Sequence, residues 1–308
     1  MGRTIAWIGL LAGIPTSAWA QCTIVNSASY QPGLPSGGAL GTAFCSGVTI
    51  IPGTIVPGLY VAPPSSPLPF MLGNVGVEVN QAPAPILAVF IPPGGNSSGV
   101  LQVNFQVPLA RDSTALQDTF DMGRFELLLP PVFNGTLQPR FPTTPVPGAG
   151  QGGFFADANG YAIAQHASDH TAVTVDHPAH AGETISVFAN DFFPVWPPPP
   201  LAVPVPSAPV YQFDSGLINY RYPFYHANLF LQDYPPYQFG IGSVAFTEPL
   251  QVVFKGLAVN QIGVEEIRFV VPATQAPGDW ALFFLAGSCQ TGSCGPGIAS
   301  VSVKLPVR

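Results

Sequence analysis

Residues 99–108 read GVLQVNFQVP, and residues 263–272 read GVEEIRFVVP. In the first stretch Leu101, Val103, Phe105 and Val107 alternate with Gln102, Asn104 and Gln106, and Pro108 ends the run. A period of two places the apolar set on one face of an extended strand and the amides on the other. Proline has no N–H to give a ladder, so it closes the strand. In the second stretch Ile267, Phe269, Val271 and Pro272 stand where Val103, Phe105, Val107 and Pro108 stood. The pattern predicts two strands with those apolar residues buried and Gln102, Asn104 and Gln106 turned away from the core.

A second match lies upstream of each. SGGALGTAFCSG (36–47) resembles HAGETISVFAND (180–191), with Gly38 on Gly182 and Phe44 on Phe188. The two matched segments come in the same order. Their spacing is longer in the second half, and the excess falls in VWPPPPLAVPVPSAPVYQF (195–213), too rich in proline for regular sheet core. The chain therefore reads as two copies of one all-β unit, 21–145 and 146–308. The second carries a Pro- and aromatic-rich insert near 194–239. FPTTPVPGAGQGG (141–153) has the turn formers of a junction. Short strands separated by turns predict two tandem immunoglobulin-like β-sandwiches. Further strands are expected at 124–129, 279–285 and 299–307. With 33 Gly and 37 Pro, no amphipathic helix is expected after residue 20.

Residues 1–20, MGRTIAWIGLLAGIPTSAWA, have the form of a cleavable signal peptide. Arg3 precedes an apolar run from Ile5 to Ile14, and Ala18-Trp19-Ala20 is a small-x-small cleavage pattern. The run is too short for a bilayer core of about 30 Å. The mature chain would begin at Gln21, with no transmembrane segment after it. Export to the cell surface, the medium or the periplasm follows. A formal net charge of -7 with 9 basic residues argues against nucleic acid, which needs Lys and Arg against its phosphates. Four cysteines in an exported chain imply disulfides. Three pairings are open, and Cys22–Cys45 with Cys289–Cys294 is favoured because each pair is local.

Two stretches carry residues capable of chemistry. HASDHTAVTVDHPAH (166–180) holds His166, His170, His177 and His180, with Asp169 and Asp176 between them. Neutral imidazole ligates zinc, copper or nickel, and a carboxylate can complete the shell. The bland alternative is a polar loop between strands. If TAVTV (171–175) is a strand, the flanking histidines sit at its opposite ends and a shared metal requires a hairpin. YRYPFYHANLFLQDYPPYQF (220–239) holds Tyr220, Tyr222, Tyr225, Tyr234 and Tyr237. Exposed tyrosine faces stack on sugars or polymers; buried ones only pack. DANG (157–160) lacks the acidic positions of a calcium loop, and Asn159-Gly160 predicts a turn. No G-x-S-x-G elbow is present, and Asp191, Asp214, Glu265 and Glu266 form no evident catalytic pair.

NSASY (26–30), EVNQAPAPILAV (78–89) and LQVNFQVP (101–108) resemble the uncharacterised Solibacter C-terminal domain family of secreted acidobacterial proteins. FFADANGYAIA (154–164), HAGETISVFA (180–189) and RFVVPATQAPGDWALFF (268–284) continue the resemblance over nearly all of the chain after the signal. It implies paired immunoglobulin-like β domains without an established activity.

These readings converge on a secreted, non-enzymatic β-sandwich protein with a structural or adhesion role at the cell envelope and no cofactor. Its partner would be an extracellular polysaccharide or another envelope protein. One alternative is a carbohydrate- or polymer-binding module using the five tyrosines. Another is a metal-binding protein using the four histidines.

Overall fold

The computed structural model describes residues 21–35, 37–48, 56–63, 67–93, 100–109, 125–128, 152–192, 195–196, 200–208, 212–213, 237–243, 246–290, 293–299 and 302–308. Residues 1–20 lie outside this set. Among the described residues every regular element is a β-strand. None forms a helix long and apolar enough to cross a membrane.

In the first half one antiparallel sheet runs in the order Gln21–Asn26, Leu40–Ser46, Leu101–Gln106, Ile86–Ile91, Gly58–Val61. Met71–Leu72, Val75–Val79, Ala82–Pro83 and Phe125–Leu128 make a second. Ile24, Ala43, Val103 and Phe105 from the first sheet meet Val75, Val77, Val79 and Leu127 from the second in one buried cluster.

The second half has its own core. Its larger sheet runs Gly153–Phe154, Thr184–Asn190, Glu265–Val270, Gln251–Leu257, Gln212–Phe213, Val195–Trp196, with Ala164–His166 also paired to Thr184–Asn190. The other joins Phe246–Pro249, Tyr237–Ser243, Gly278–Gln290 and Ser293–Ala299, with Val303–Val307 along Gly278–Gln290. Phe154, Ile185, Ile267 and Phe269 pack there against Leu282, Val303, Leu305 and Val307. Full burial of such side chains contributes about 1.5–3 kcal/mol each, which offsets the entropy of ordering short strands.

The alternating strands lie in these cores as their period requires. Val103, Phe105, Ile267, Phe269 and Val271 are fully buried, and Val107 nearly so. Their partners are in matching register. Gly41, Thr42, Ala43 and Phe44 face Phe105, Asn104, Val103 and Gln102. Ile185, Ser186, Val187 and Phe188 face Phe269, Arg268, Ile267 and Glu266. Phe44 thus corresponds to Phe188 wherever Phe105 corresponds to Phe269. The turns at the strand ends match too. Gly38 N–H donates to Val107 O, and Gly182 N–H to Val271 O. Both glycines have positive φ, 90° and 81°, which an L side chain rarely adopts.

Some sequence expectations need correction. Gln106 does turn away from its core, yet it is fully buried, because backbone from the second half covers it. The expected strand at 299–307 is two, Ser293–Ala299 and Val303–Val307. The proline-rich stretch contributes to the sheet at its edge, outside the regular sheet core that its prolines argue against. Val195–Trp196 and Gln212–Phe213 pair at the sheet's edge, where a proline's missing donor costs no ladder bond. The strand expected at 124–129 is Phe125–Leu128, and that at 279–285 lies within Gly278–Gln290.

Candidate functional site: the histidine loop

The loop begins where the strand Ala164–His166 leaves Thr184–Asn190. The chain reverses at once. His170 N–H donates to His166 O at 2.9 Å, and His166 N–H to Thr171 O at 2.9 Å. His170 sits at φ 61°. The Asp169 carboxylate accepts from Thr171 N–H at 2.9 Å and from its hydroxyl at 2.7 Å. These two bonds hold the Asp169 carboxyl below the usual carboxylate range, the backbone bond first. Its main work is to fix the turn.

TAVTV is not a strand. Only Ala172 makes a bridge, to Gln165, and buried Val173 anchors the loop through Val173 N–H to Ala164 O at 3.0 Å. Thr174 and His177 then close a second tight turn. Fully buried Ala179 ties the loop to the last strand through bonds with Pro306 O and Arg308 N–H.

His166 is buried, 3% exposed, whereas His170, His177 and His180 are exposed. The His166 Nδ1 lies 2.5 Å from Glu183 Oε1, and its Nε2 faces the His177 carbonyl at 3.3 Å. The other Glu183 oxygen accepts from His180 N–H at 2.9 Å. The His177 ring tilts over His166 with centroids 4.4 Å apart. Both nitrogens of the one buried imidazole therefore face acceptors within the loop. A shared metal would need lone pairs from several rings converging on a point. Among the described residues no group of three or more His, Cys, Asp or Glu side chains is placed to hold a metal ion. The geometry supplies a carboxylate–imidazole fastening, with Glu183 as the member that sequence spacing did not single out.

The same turn exists in the first half. Tyr30 N–H donates to Asn26 O, Asn26 N–H to Gln31 O and Gly33 N–H to Ile24 O, each at 3.0 Å. Tyr30 has φ 55°, as His170 has 61°. Val25 bridges Pro32 as Gln165 bridges Ala172. NSASY and HASDH are thus one backbone motif, with Asn26 at the place of His166 and Tyr30 at that of His170. Their side chains are dissimilar, so the likeness lies in the backbone and not in the residue types.

Other candidate groups are engaged as well. Glu266 pairs with Arg268 at 2.6 and 3.0 Å, and Arg268 lies over the Phe254 ring. Glu265 accepts from Phe192 N–H at 3.0 Å. Asp157 accepts from Tyr161 N–H and Asn159 N–H, which sets the Asn159-Gly160 turn and lowers its carboxyl value. Cys22 lies opposite Cys45 in register and bonded to it. Cys289 lies opposite Cys294 in a hairpin ladder whose side chains are outside the described set. Tyr220, Tyr222, Tyr225, Tyr234 and Asp214 are outside the described residues. Tyr237 opens the strand Tyr237–Ser243 opposite Ala286, its side chain undescribed.

No protein-family model matches the chain, and no curated protein matches it.

His166→Ala should loosen this loop by about 1–3 kcal/mol, since Glu183 loses its partner in a half-buried place. His170→Ala and His180→Ala should each change stability by less than about 0.5 kcal/mol, because those rings are exposed. Hydrogen exchange at Ala167, His170 and Val173 reads the difference. Equal effects at all three histidines would remove the special position given to His166.

Proposed function

We propose that the chain is an exported, non-enzymatic pair of immunoglobulin-like domains, residues 21–145 and 146–308, with a structural or adhesive role at the cell envelope. Residues 1–20 act as a cleavable signal peptide, and the mature protein begins at Gln21. The pair resembles the Solibacter C-terminal domain family, and the two units derive from one ancestral unit. The observation that carries this reading is the recurrence of one register and one turn in both halves, each around its own core. A second observation supports the non-enzymatic part. The described groups most able to do chemistry, His166, Glu183, Asp169 and Glu266, are engaged in bonds that fix turns and strands.

The test begins with the full chain expressed with its own leader. A mature protein starting at Gln21 and recovered outside the cytoplasm supports the reading; an uncleaved cytoplasmic chain sinks it. In the producing cells, immunodetection should place the protein at the envelope, and its deletion should reduce attachment or envelope integrity. Turnover of any ester, glycoside or peptide that disappears in the His166→Ala variant would replace this reading with an enzymatic one. Retention on a polysaccharide that is lost in Tyr222→Ala, Tyr225→Ala protein would make the partner a glycan.

A further inference from the structure

We infer that the turn end of the first half is an interaction surface whose partner is the second half of the same chain, and that two reciprocal side-chain amides clamp the pair into one rigid body. This rests on the two-unit reading above but not on the envelope role.

The clamps are specific. Asn190, at the end of the strand Thr184–Asn190, is fully buried and reaches into the first half. Its Oδ1 accepts from Leu40 N–H at 2.9 Å, and its Nδ2 donates to Leu40 O at 2.8 Å and to Asn26 Oδ1 at 3.0 Å. A side-chain amide thus pairs with Leu40 as a neighbouring strand would. Gln106 does the reverse from the first half. Its Oε1 accepts from Ala202 N–H at 2.8 Å, and its Nε2 donates to Pro200 O at 3.1 Å and Gly38 O at 3.0 Å. Buried amides of this kind stabilise only when nearly every donor and acceptor is met, so the geometry admits little sliding. Beside them Leu68 N–H donates to Ala202 O, and Ala62, Leu68 and Ala202 form a small apolar cluster with Leu87 and Ile262. The proline-rich insert therefore contributes to the seam.

The backbones approach closely. A Cβ on Gly153 would stand 2.5 Å from the Ser29 Cβ, and one on Gly263 would stand 2.7 Å from the Gly38 carbonyl. Gly153 lacks the positive φ of Gly263, so contact across the seam, and not its own backbone, restricts what can stand there.

The corresponding end of the second half lacks these features. Its matched positions hold His166 for Asn26, Thr184 for Leu40, Val270 for Gln106 and Asp169 for Ser29. Gly182 and Asp169 are exposed where Gly38 is buried and Ser29 half-buried. His166, with no Asn190 to meet it, is bonded by Glu183 of its own half. The histidine loop is exposed at Asp169, His170, His177 and His180, and it is chemically distinct from the seam.

Calorimetry and small-angle X-ray scattering on the full chain test this. Wild type should melt in one transition and scatter as a single fixed shape. Asn190→Ala with Gln106→Ala should split the melt into two transitions and broaden the scattering envelope, with Leu40 and Ala202 amides exchanging at least about tenfold faster. Gly153→Ala, which leaves both cores and both clamps in sequence intact, should do the same by wedging the seam. Two independent transitions in wild type would overturn the clamp and leave the two-unit reading standing. Clamp variants that lower one transition without dividing it would overturn the two-unit reading and the inference with it.

Discussion

Phe269→Ala should lower the stability of the protein by about 3–5 kcal/mol, and Phe105→Ala should cost about as much. Both rings are fully buried at matched places in separate cores. Deleting either removes a large transfer energy and leaves a cavity that a rigid ladder cannot collapse to fill. The surroundings differ in one telling way. Phe105 lies opposite Gly41, and a Cβ on Gly41 would stand 2.8 Å from the ring's Cζ. Phe269 lies opposite Ile185 instead. Phe105 therefore covers a glycine that its strand would otherwise leave unpacked, whereas Phe269 packs against a branched side chain. Gly41→Val should be as damaging as losing the ring, although the matched position accepts isoleucine. Native-state hydrogen exchange separates the two cores: Phe105→Ala should release Ala43 and Val103 most, and Phe269→Ala should release Val187 and Ile267. If either variant released both sets equally, the cores would not be separate.

Much of this fold could be read in the sequence, and the reason is periodicity. Alternation at 101–107 and 267–271 fixes which side chains share a face, and a face that buries Phe105 or Phe269 permits one register. The prolines at 108 and 272 mark strand ends by the donor they lack. What was not legible involves groups whose partners are far along the chain. Gln106 belongs by period to an outward face, and nothing local tells that 200–202 will cover it. Asn190 looks like an ordinary strand end until Leu40 is seen beside it. The histidines are hard to read for a related reason. Four imidazoles in fifteen residues resemble a ligand set, but their arrangement depends on a turn whose backbone form is also found at 26–30. Hydrogen bonds there are made by main-chain atoms, so NSASY and HASDH can share a conformation without sharing side chains. Glu183 stands outside the histidine stretch in sequence, and the matched position in the first half, Ala39, carries no carboxylate that would point to it.

Removing the Cys22–Cys45 bridge, by Cys22→Ala with Cys45→Ala, should lower stability by about 3 kcal/mol. The bond joins residues 23 apart in sequence, so its loss restores a long closed loop's worth of freedom to the unfolded chain. Its position adds a local effect. The strand Gln21–Asn26 lies at the sheet's edge and has Leu40–Ser46 as its neighbour in that sheet. Cys22 pins one end of that strand, while Asn26 at the other end meets Asn190. Without the bridge the edge strand should fray from Gln21 inward, and exchange at Thr23 should rise before exchange at Val25. Cys45 is fully buried and Cys22 nearly so, so a mild reductant should leave the bond intact until denaturant opens the core. A bridge between Cys289 and Cys294 would close a far shorter loop, one whose strands are already held by their ladder. The same double replacement there should cost about 2 kcal/mol. Melting both double variants against wild type orders the two effects, and a larger loss at 289 and 294 would show that the closed loop's length is not what decides them.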